Sequence, residues 1–566
     1  MGACYPDILV ARPALGVVFL CLTAAAWAQS SVLLDAMSEE LQRNFAGLKA
    51  KGDPAPYFLS YEVTEEDFHS VSATLGALTG RDQVKSRHLD VCVRVGSPKL
   101  DNYHRLRGER LRLSTGGALT FEDQPASIEH ATWLDTDLAY RRAAERLIKI
   151  RTNSEVQAAG ADTSGDFSRE APVVHVAPVP LAKFPAAEWA ERVRKLSAKF
   201  SDYPNILTSS VAVTYLEETK YFVNTEGARL EHGRGFARVV VSAQAKAMDG
   251  ADLADAETFE ADRPDGLPRD GTIADAVERV AKNVEALLLA PEAEPFAGPA
   301  IFSGRAAGVF FHEIFGHRVE GDRQKDEAEG QTFTQSVGRP VLPDFLSVIF
   351  DPTCRRIGSV DLNGWYEYDD EGVAARPVTV VEHGVLEAFL MSRSPIQGFD
   401  HSNGHGRRQP GFEVGSRQSN LIVESTRTVP EARLRAMLIE EIQRQHTAYG
   451  LYFKDVTGGV TNTARRGVQT FKVVPILVYK VYPDGRPDEL IRGADIVGTP
   501  LASFSKILAT SDRPVVFNGY CGAESGSVPV SAVSPAILVS EIEIQKQGQS
   551  QDRPPLLPFP TEPGDK

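Results

Sequence analysis

Apolar residues recur with a helical period in parts of the first half of the chain and as strand-like runs in the second. Residues 31–52 set Leu33, Leu34, Met37, Leu41, Phe45 and Leu48 on one side, which predicts an amphipathic helix. Short β-branched and aromatic runs at 57–63, 71–79 and 88–95 predict strands. A second helix is expected over 133–150, with Leu134, Leu138, Ala143, Leu147 and Ile150 roughly in phase. A third covers 186–200, through Trp189, Val193, Leu196 and Phe200. A meander follows at 209–216, 220–223, 229–231 and 238–247, with a turn at 224–227. The clearest amphipathic helix is 272–289, built on Ile273, Val277, Val280, Val284 and Leu287.

Residues 291–304, rich in Pro, Gly and Ala, mark a domain boundary. Beyond it, runs at 341–350, 378–382, 385–391, 419–424, 470–481 and 537–545 predict strands, interrupted by one helix at 430–444. The expected fold class is α+β. An N-terminal mixed α/β domain covers 29–294, a β-rich C-terminal domain 295–546, and a proline-rich disordered tail 547–566. A length of 566 residues agrees with more than one core.

The first residues change the picture of where the protein works. Arg12 precedes an apolar run at 14–25, and Ala26-Trp27-Ala28 supplies small residues before Gln29, the pattern of a cleaved export signal over 1–28. The run holds about twelve residues, short of the roughly 20 that span a bilayer. A periplasmic or secreted mature protein without a stable membrane anchor is therefore expected. The net charge of −15, with no dense Lys/Arg run, argues against nucleic acid as a partner. Cleavage would remove Cys4 and Cys21 and leave Cys92, Cys354 and Cys521. An odd count excludes a pure disulfide scaffold. A thiol kept in an oxidising compartment needs a reason, and metal ligation is one.

The candidate chemistry lies in residues 310–322, FFHEIFGHRVEGD. The familiar zinc-protease helix, H-E-x-x-H, sets its histidines four residues apart. Here His312 and His317 are five apart. On a regular α-helix such residues point about 140° away from each other. A shared ion then requires either a π-bulge or a helix that ends at Gly316. Glu313 follows the first histidine, where a general base can act on a metal-held water. The plain alternative is a buried helix with two hydrogen-bonded histidines.

This stretch resembles the TldD/PmbA family of metallopeptidases, in its TldD-like catalytic branch. Further segments agree in order. Residues 368–372, YDDEG, and 381–386, VEHGVL, are similar to the family's D-D-E-G and E-N-G-x-L segments. Gly406-Arg407-Arg408 and residues 416–420, SRQSN, resemble its G-R-R and R-x-x-N stretch. Residues 493–498, GADIVG, and 520–530, YCGAESGSVPV, resemble two later segments. In the family, the two histidines and a cysteine near the C-terminus bind zinc, and the glutamate is catalytic. The resemblance therefore implies His312, His317 and Cys521 as ligands of Zn2+, with Glu313 as general base. Three protein ligands leave a position for water, as a catalytic zinc requires. It also implies a peptide substrate, and a homodimer or a heterodimer with a related subunit enclosing the site. The chain departs from the pattern in carrying an export signal, and in Ala523, where the family often has Lys, followed by Glu524.

The remaining polar clusters take simpler readings. His401 and His405 fall in a polar loop, and Asp369, Asp370 and Glu371 in a turn between strands. Cys354 is read as structural. Arg417 and Asn420 are candidate substrate-binding residues, able to orient peptide carbonyls or a carboxylate, with a plain surface strand as the alternative. The expected function is an exported zinc metallopeptidase of H-E-x-x-x-H type, hydrolysing short or unfolded peptides with Glu313 as base on a zinc-bound water. Two alternatives stand beside it: a non-catalytic peptide-binding or partner subunit, and a metal-dependent hydrolase of a non-peptide amide.

Overall fold

The computed structural model describes residues 31–548 apart from 107–108, 110–112, 114–115, 155–161, 178–181, 327, 466–470 and 499–502, together with 553–555 and 557. The expected export signal, and most of the expected tail, lie outside the described residues. The matched architecture is mixed α and β, as expected.

The N-terminal part is one seven-stranded sheet with four helices on one face. Its strands are β1 (Pro56–Thr74), β2 (Ala77–Ser97), β3 (Leu100–Asp101), β4 (Val174–Val176), β5 (Thr208–Asn224), β6 (Arg229–Lys246) and β7 (Asp252–Ala261). Their order is β3-β2-β1-β5-β6-β4, with β7 also paired to β6. Strand alternation sends Leu59, Tyr61, Val63 and Val71 to the helix-covered face, while Glu62 and Glu66 point the other way. Helices α1 (Val32–Lys51) and α2 (Pro125–Ser154) cover the first part of that face, and α3 (Ala186–Ser197) and α4 (Asp270–Leu289) the second. Ser31 caps α1, its hydroxyl accepting the Leu34 amide at 3.0 Å.

Two sequence expectations need correction here. The strands are longer than the apolar runs, because polar stretches such as 64–70 continue β1 with full pairing to β2 and β5. Helix α2 buries the expected Ala143, Leu147 and Ile150 but not the expected Leu134 and Leu138. Leu134 and Leu138 are exposed, whereas Ile128, Ala139, Ala143, Leu147 and Ile150 are buried together with Thr132 and Thr136. The threonines satisfy their hydroxyls locally, Thr132 on the Ile128 carbonyl at 2.7 Å and Thr136 on that of Thr132 at 2.6 Å. A hydrophobic pattern cannot register a buried face made partly of threonine.

Strand β8 (Phe296–Phe302) begins a twelve-stranded sheet. It runs parallel to Gly450–Thr461 and antiparallel to Gly526–Lys546. The latter forms a long hairpin with Ile507–Ala523. Buried against these strands lies helix α5 (Gly304–Ile314), with Phe310 and Phe311 packed on Phe302 and Phe504.

The polar face of the first sheet meets the second domain through buried charge. Lys220 pairs with Asp370, Arg408 with Glu62, and Arg234 donates to the Asn363 carbonyl. The acidic run 369–371 is a turn, as expected. Asp369 accepts the Glu371 and Val373 amides at 3.0 and 2.9 Å, and Asp370 accepts the Arg408 amide at 2.6 Å.

Candidate metal centre

Helix α5 starts at Ser303, whose hydroxyl accepts the Ala306 amide at 3.2 Å. It carries His312 and Glu313 in its last turn and ends after Ile314. Phe315 follows with φ −105° and ψ −53°, and Gly316–Arg318 form a single 3-10 turn. Of the two ways to bring residues five apart onto one site, the chain uses a helix end. The change of pitch swings His317 round until its ring centroid lies 5.2 Å from that of His312, at an interplanar angle of 80°. Gly316 allows this because a Cβ there would lie 1.9 Å from Oε1 of Gln418. Gln418 in turn donates to the His312 carbonyl at 3.3 Å.

The third expected ligand arrives from the far end of the chain. Cys521 sits on the strand Ile507–Ala523, opposite Val528, buried with Val528 and Val530. Its Sγ is 3.4 Å from Nε2 of His317. One ligand atom from each of His312, His317 and Cys521 lies within 4.8 Å of the others, and all three residues are buried. Among the described residues this is the single group of three or more such side chains so arranged.

The donor set fits zinc. Two ligands at about 2.0 and 2.3 Å from one tetrahedral ion sit about 3.5 Å apart, close to the 3.4 Å between Nε2 and Sγ. Burial alone would raise the Cys521 thiol, but His317, His312 and Arg417 outweigh it and hold the thiol well below its ordinary range. Burial alone would lower His317, yet Cys521 and Glu320 push it up to about 10. The charges around the cluster thus favour the ionised form of Cys521, the form in which a thiol ligates a metal.

Around the cluster lie residues the sequence did not single out. Nδ1 of His317 is 3.2 Å from Oε2 of buried Glu320, which also accepts Nε of Arg323 at 2.7 Å. Arg318, also buried, donates to the Ile314 carbonyl at 2.8 Å and to the Thr461 hydroxyl at 3.1 Å. It thereby ties the end of α5 to the strand Gly450–Thr461. Gly459 on that strand lies against the side chain of Glu313. Glu320 was readable as the third residue after His317, and the glycines as a Gly458-Gly459 pair in an otherwise strand-like run.

The two expected substrate residues lie elsewhere. Arg417 is fully buried, donating to the Ser525 hydroxyl at 2.6 Å, the Gly526 carbonyl at 3.0 Å and the Cys521 carbonyl at 2.5 Å. It pins the hairpin that carries the thiolate. Asn420 is buried too, and its amide donates to the Asp351 and Cys354 carbonyls, both at 2.9 Å. Neither is a surface-strand residue, and both spend their donors inside the protein. His405 corrects another expectation. It is buried rather than in a solvated loop, with Nε2 3.1 Å from the Ser419 hydroxyl, while His401 is exposed.

Comparison with known proteins places the domain that carries this cluster. Residues 297–546 match the PmbA/TldA metallopeptidase C-terminal domain. A metalloprotease of Methanocaldococcus jannaschii is 28% identical over 331 residues, covering 57% of this chain and 66% of that protein. A zinc metalloprotease TldD homolog of Saccharolobus solfataricus is 26% identical over 255 residues, covering 44% and 52%. The matched stretches thus span about half to two thirds of these relatives. The crystal structure of TldE from Thermococcus kodakarensis shares the fold, with a TM-score of 0.59 at 14% identity over 90% of this chain and 100% of that one. Residues 297–546 of this chain are thus a PmbA/TldA metallopeptidase C-terminal domain, and the chain shares its fold with TldE.

Proposed function

We propose that the protein is an exported zinc peptidase acting on short or unfolded peptides. The observation that carries this reading is the buried His312, His317 and Cys521 cluster, with Glu313 beside it at the end of the same helix. A zinc ion held there would polarise a scissile carbonyl and lower the pKa of water to about 7. Glu313 then accepts the proton of the attacking water and returns it to the leaving amine. Arg318 and Gly459 hold Glu313 in position from two sides, through backbone and packing. Arg417 holds the Cys521 backbone while the thiolate stays buried. Burial of all four site residues excludes bulk water from the proton transfer.

The likeness in fold to TldE, together with the family's ligand set in this chain, favours a catalytic subunit that pairs with a second copy or with a related subunit. The leader pattern at 1–28 supports export.

The test uses Glu313→Gln, which keeps size and removes the carboxylate. Metal content should remain at about one ion per chain, and hydrolysis of unstructured peptides should fall roughly 10² to 10⁴-fold. His317→Ala should lose metal and activity together. Wild-type turnover in Glu313→Gln with metal bound refutes the mechanism. Peptide binding without cleavage by the metal-loaded wild type refutes the enzyme reading in favour of a binding subunit.

A further inference from the structure

Glu320 is buried, 1% exposed, and stands on the opposite side of the His317 ring from Cys521. It is not a member of the three-residue cluster. Its Oε2 lies 3.2 Å from Nδ1 of His317, while Nε2 of the same ring faces Sγ of Cys521 at 3.4 Å. The two ring nitrogens therefore have opposite tasks. A carboxylate on Nδ1 fixes the proton there and leaves the Nε2 lone pair free.

Arg323 hydrogen-bonds Glu320, and Arg417 approaches it as an ion pair without a hydrogen bond. Arg323 donates Nε to Oε2 at 2.7 Å, and Nε of Arg417 lies 3.4 Å from Oε1. Arg417 also donates to the Cys521 carbonyl at 2.5 Å. A continuous path thus runs from one side of the cluster to the other, from the His317 ring through Glu320 and Arg417 to the Cys521 backbone. The histidine turn and the hairpin are far apart in sequence, and this path links them independently of any ion.

We propose that Glu320 is a positioning residue for the metal centre, setting the ring orientation and tautomer of His317, with Arg417 coupling it to the strand that carries Cys521. The inference rests on the zinc reading above and assigns no catalytic step to either residue. Outer-sphere partners of this kind typically alter metal affinity by 10 to 100-fold.

The decisive measurement is zinc affinity of the full-length mature protein, stripped of metal and titrated against a chromophoric chelator, with the absorption spectrum of the cobalt-loaded form. Glu320→Gln keeps the volume and one acceptor oxygen. It should bind zinc roughly tenfold more weakly, with an altered cobalt spectrum, and the metal-free protein should melt lower because Arg323 and Arg417 lose a buried negative charge. Glu320→Ala should lose up to about 100-fold; because it also strips Arg323 of a buried partner, Glu320→Gln decides if the alanine variant does not fold. Wild-type affinity and spectrum in Glu320→Gln overturn the assignment. So does a weaker affinity with an unchanged spectrum, since Glu320 then supports only the fold. A wild type that binds no zinc overturns the proposed function instead.

Discussion

A Cβ built on Gly459 would lie 2.5 Å from Cγ of Glu313 and 3.0 Å from its Cδ. The strand Gly450–Thr461 has no other way to pass this side chain so closely, and the absence of a side chain at 459 fixes where the carboxylate sits.

Gly459→Ala should therefore displace Glu313 without touching a ligand. An ångström of misplacement of a catalytic group can cost about 10²-fold, and a loss of roughly that order in peptide turnover is expected. Zinc content should stay at the wild-type level. Turnover equal to wild type would show that Glu313 does not depend on this contact.

The contact between the two domains should be sensitive to half of a charge pair. Lys220 and Asp370 form an ion pair with both side chains largely buried. Asp370→Ala removes the closest partner of Lys220, leaving Glu62 at 3.7 Å and the field of Glu218, and should destabilise by about 3–5 kcal/mol in urea denaturation. The double replacement Lys220→Met with Asp370→Leu should be markedly milder, because no unpaired buried charge remains. A double variant as unstable as the single one would contradict this account.

Acid should destabilise the fold through two neutral histidines. Burial, aided by Lys220, pushes His232 down to about 3. Burial, with Arg407 and against a backbone contact to Asn403, brings His405 to about 3 as well. Each is near 6.5 when unfolded. Below that value the unfolded chain takes up protons that the folded chain refuses. Their contribution is complete above about pH 6.5 and is lost progressively as pH falls toward 3, by about 2 kcal/mol each near pH 5. His232→Gln should flatten the change in urea midpoint between about pH 7 and about pH 5. An unchanged slope would rule out His232 as a source.

Export makes a chemical prediction. The mature protein should begin near Gln29, which N-terminal sequencing of material recovered from outside the cytoplasm reads directly. A retained Met1 would end the export reading.

Much of the architecture was legible where one kind of side chain dominates a face. Helix α4 buries Ile273, Val277, Val280, Val284 and Leu287, the same residues its period indicates. Strands were harder, because the outer face of the first sheet packs on a charged partner domain. Glu62, Glu66 and Lys220 interrupt the apolar signal without interrupting the ladder. Strand β7, rich in acidic residues and alanine, and the strands Gly450–Thr461 and Ile507–Ala523, interrupted by glycine or proline, were not singled out from the sequence. At the metal centre the residues His312, Glu313 and His317 were legible because they are neighbours in sequence. The roles of Glu320, Arg417 and Gly459 were not, since each depends on a contact made by folding.

His317 and Cys521 stand 204 residues apart, and that interval sets an order of events in the life of the chain. A nascent chain that ends before Cys521 carries at most the two histidines and no thiolate to close the site, and a cut within the interval separates the histidines from the cysteine. If the chain crosses a membrane unfolded, it crosses before the interval is closed, and the ion must be taken up on the far side. Metal loading then reports completion: a site assembled from both ends of its domain stays open until translation and folding are finished.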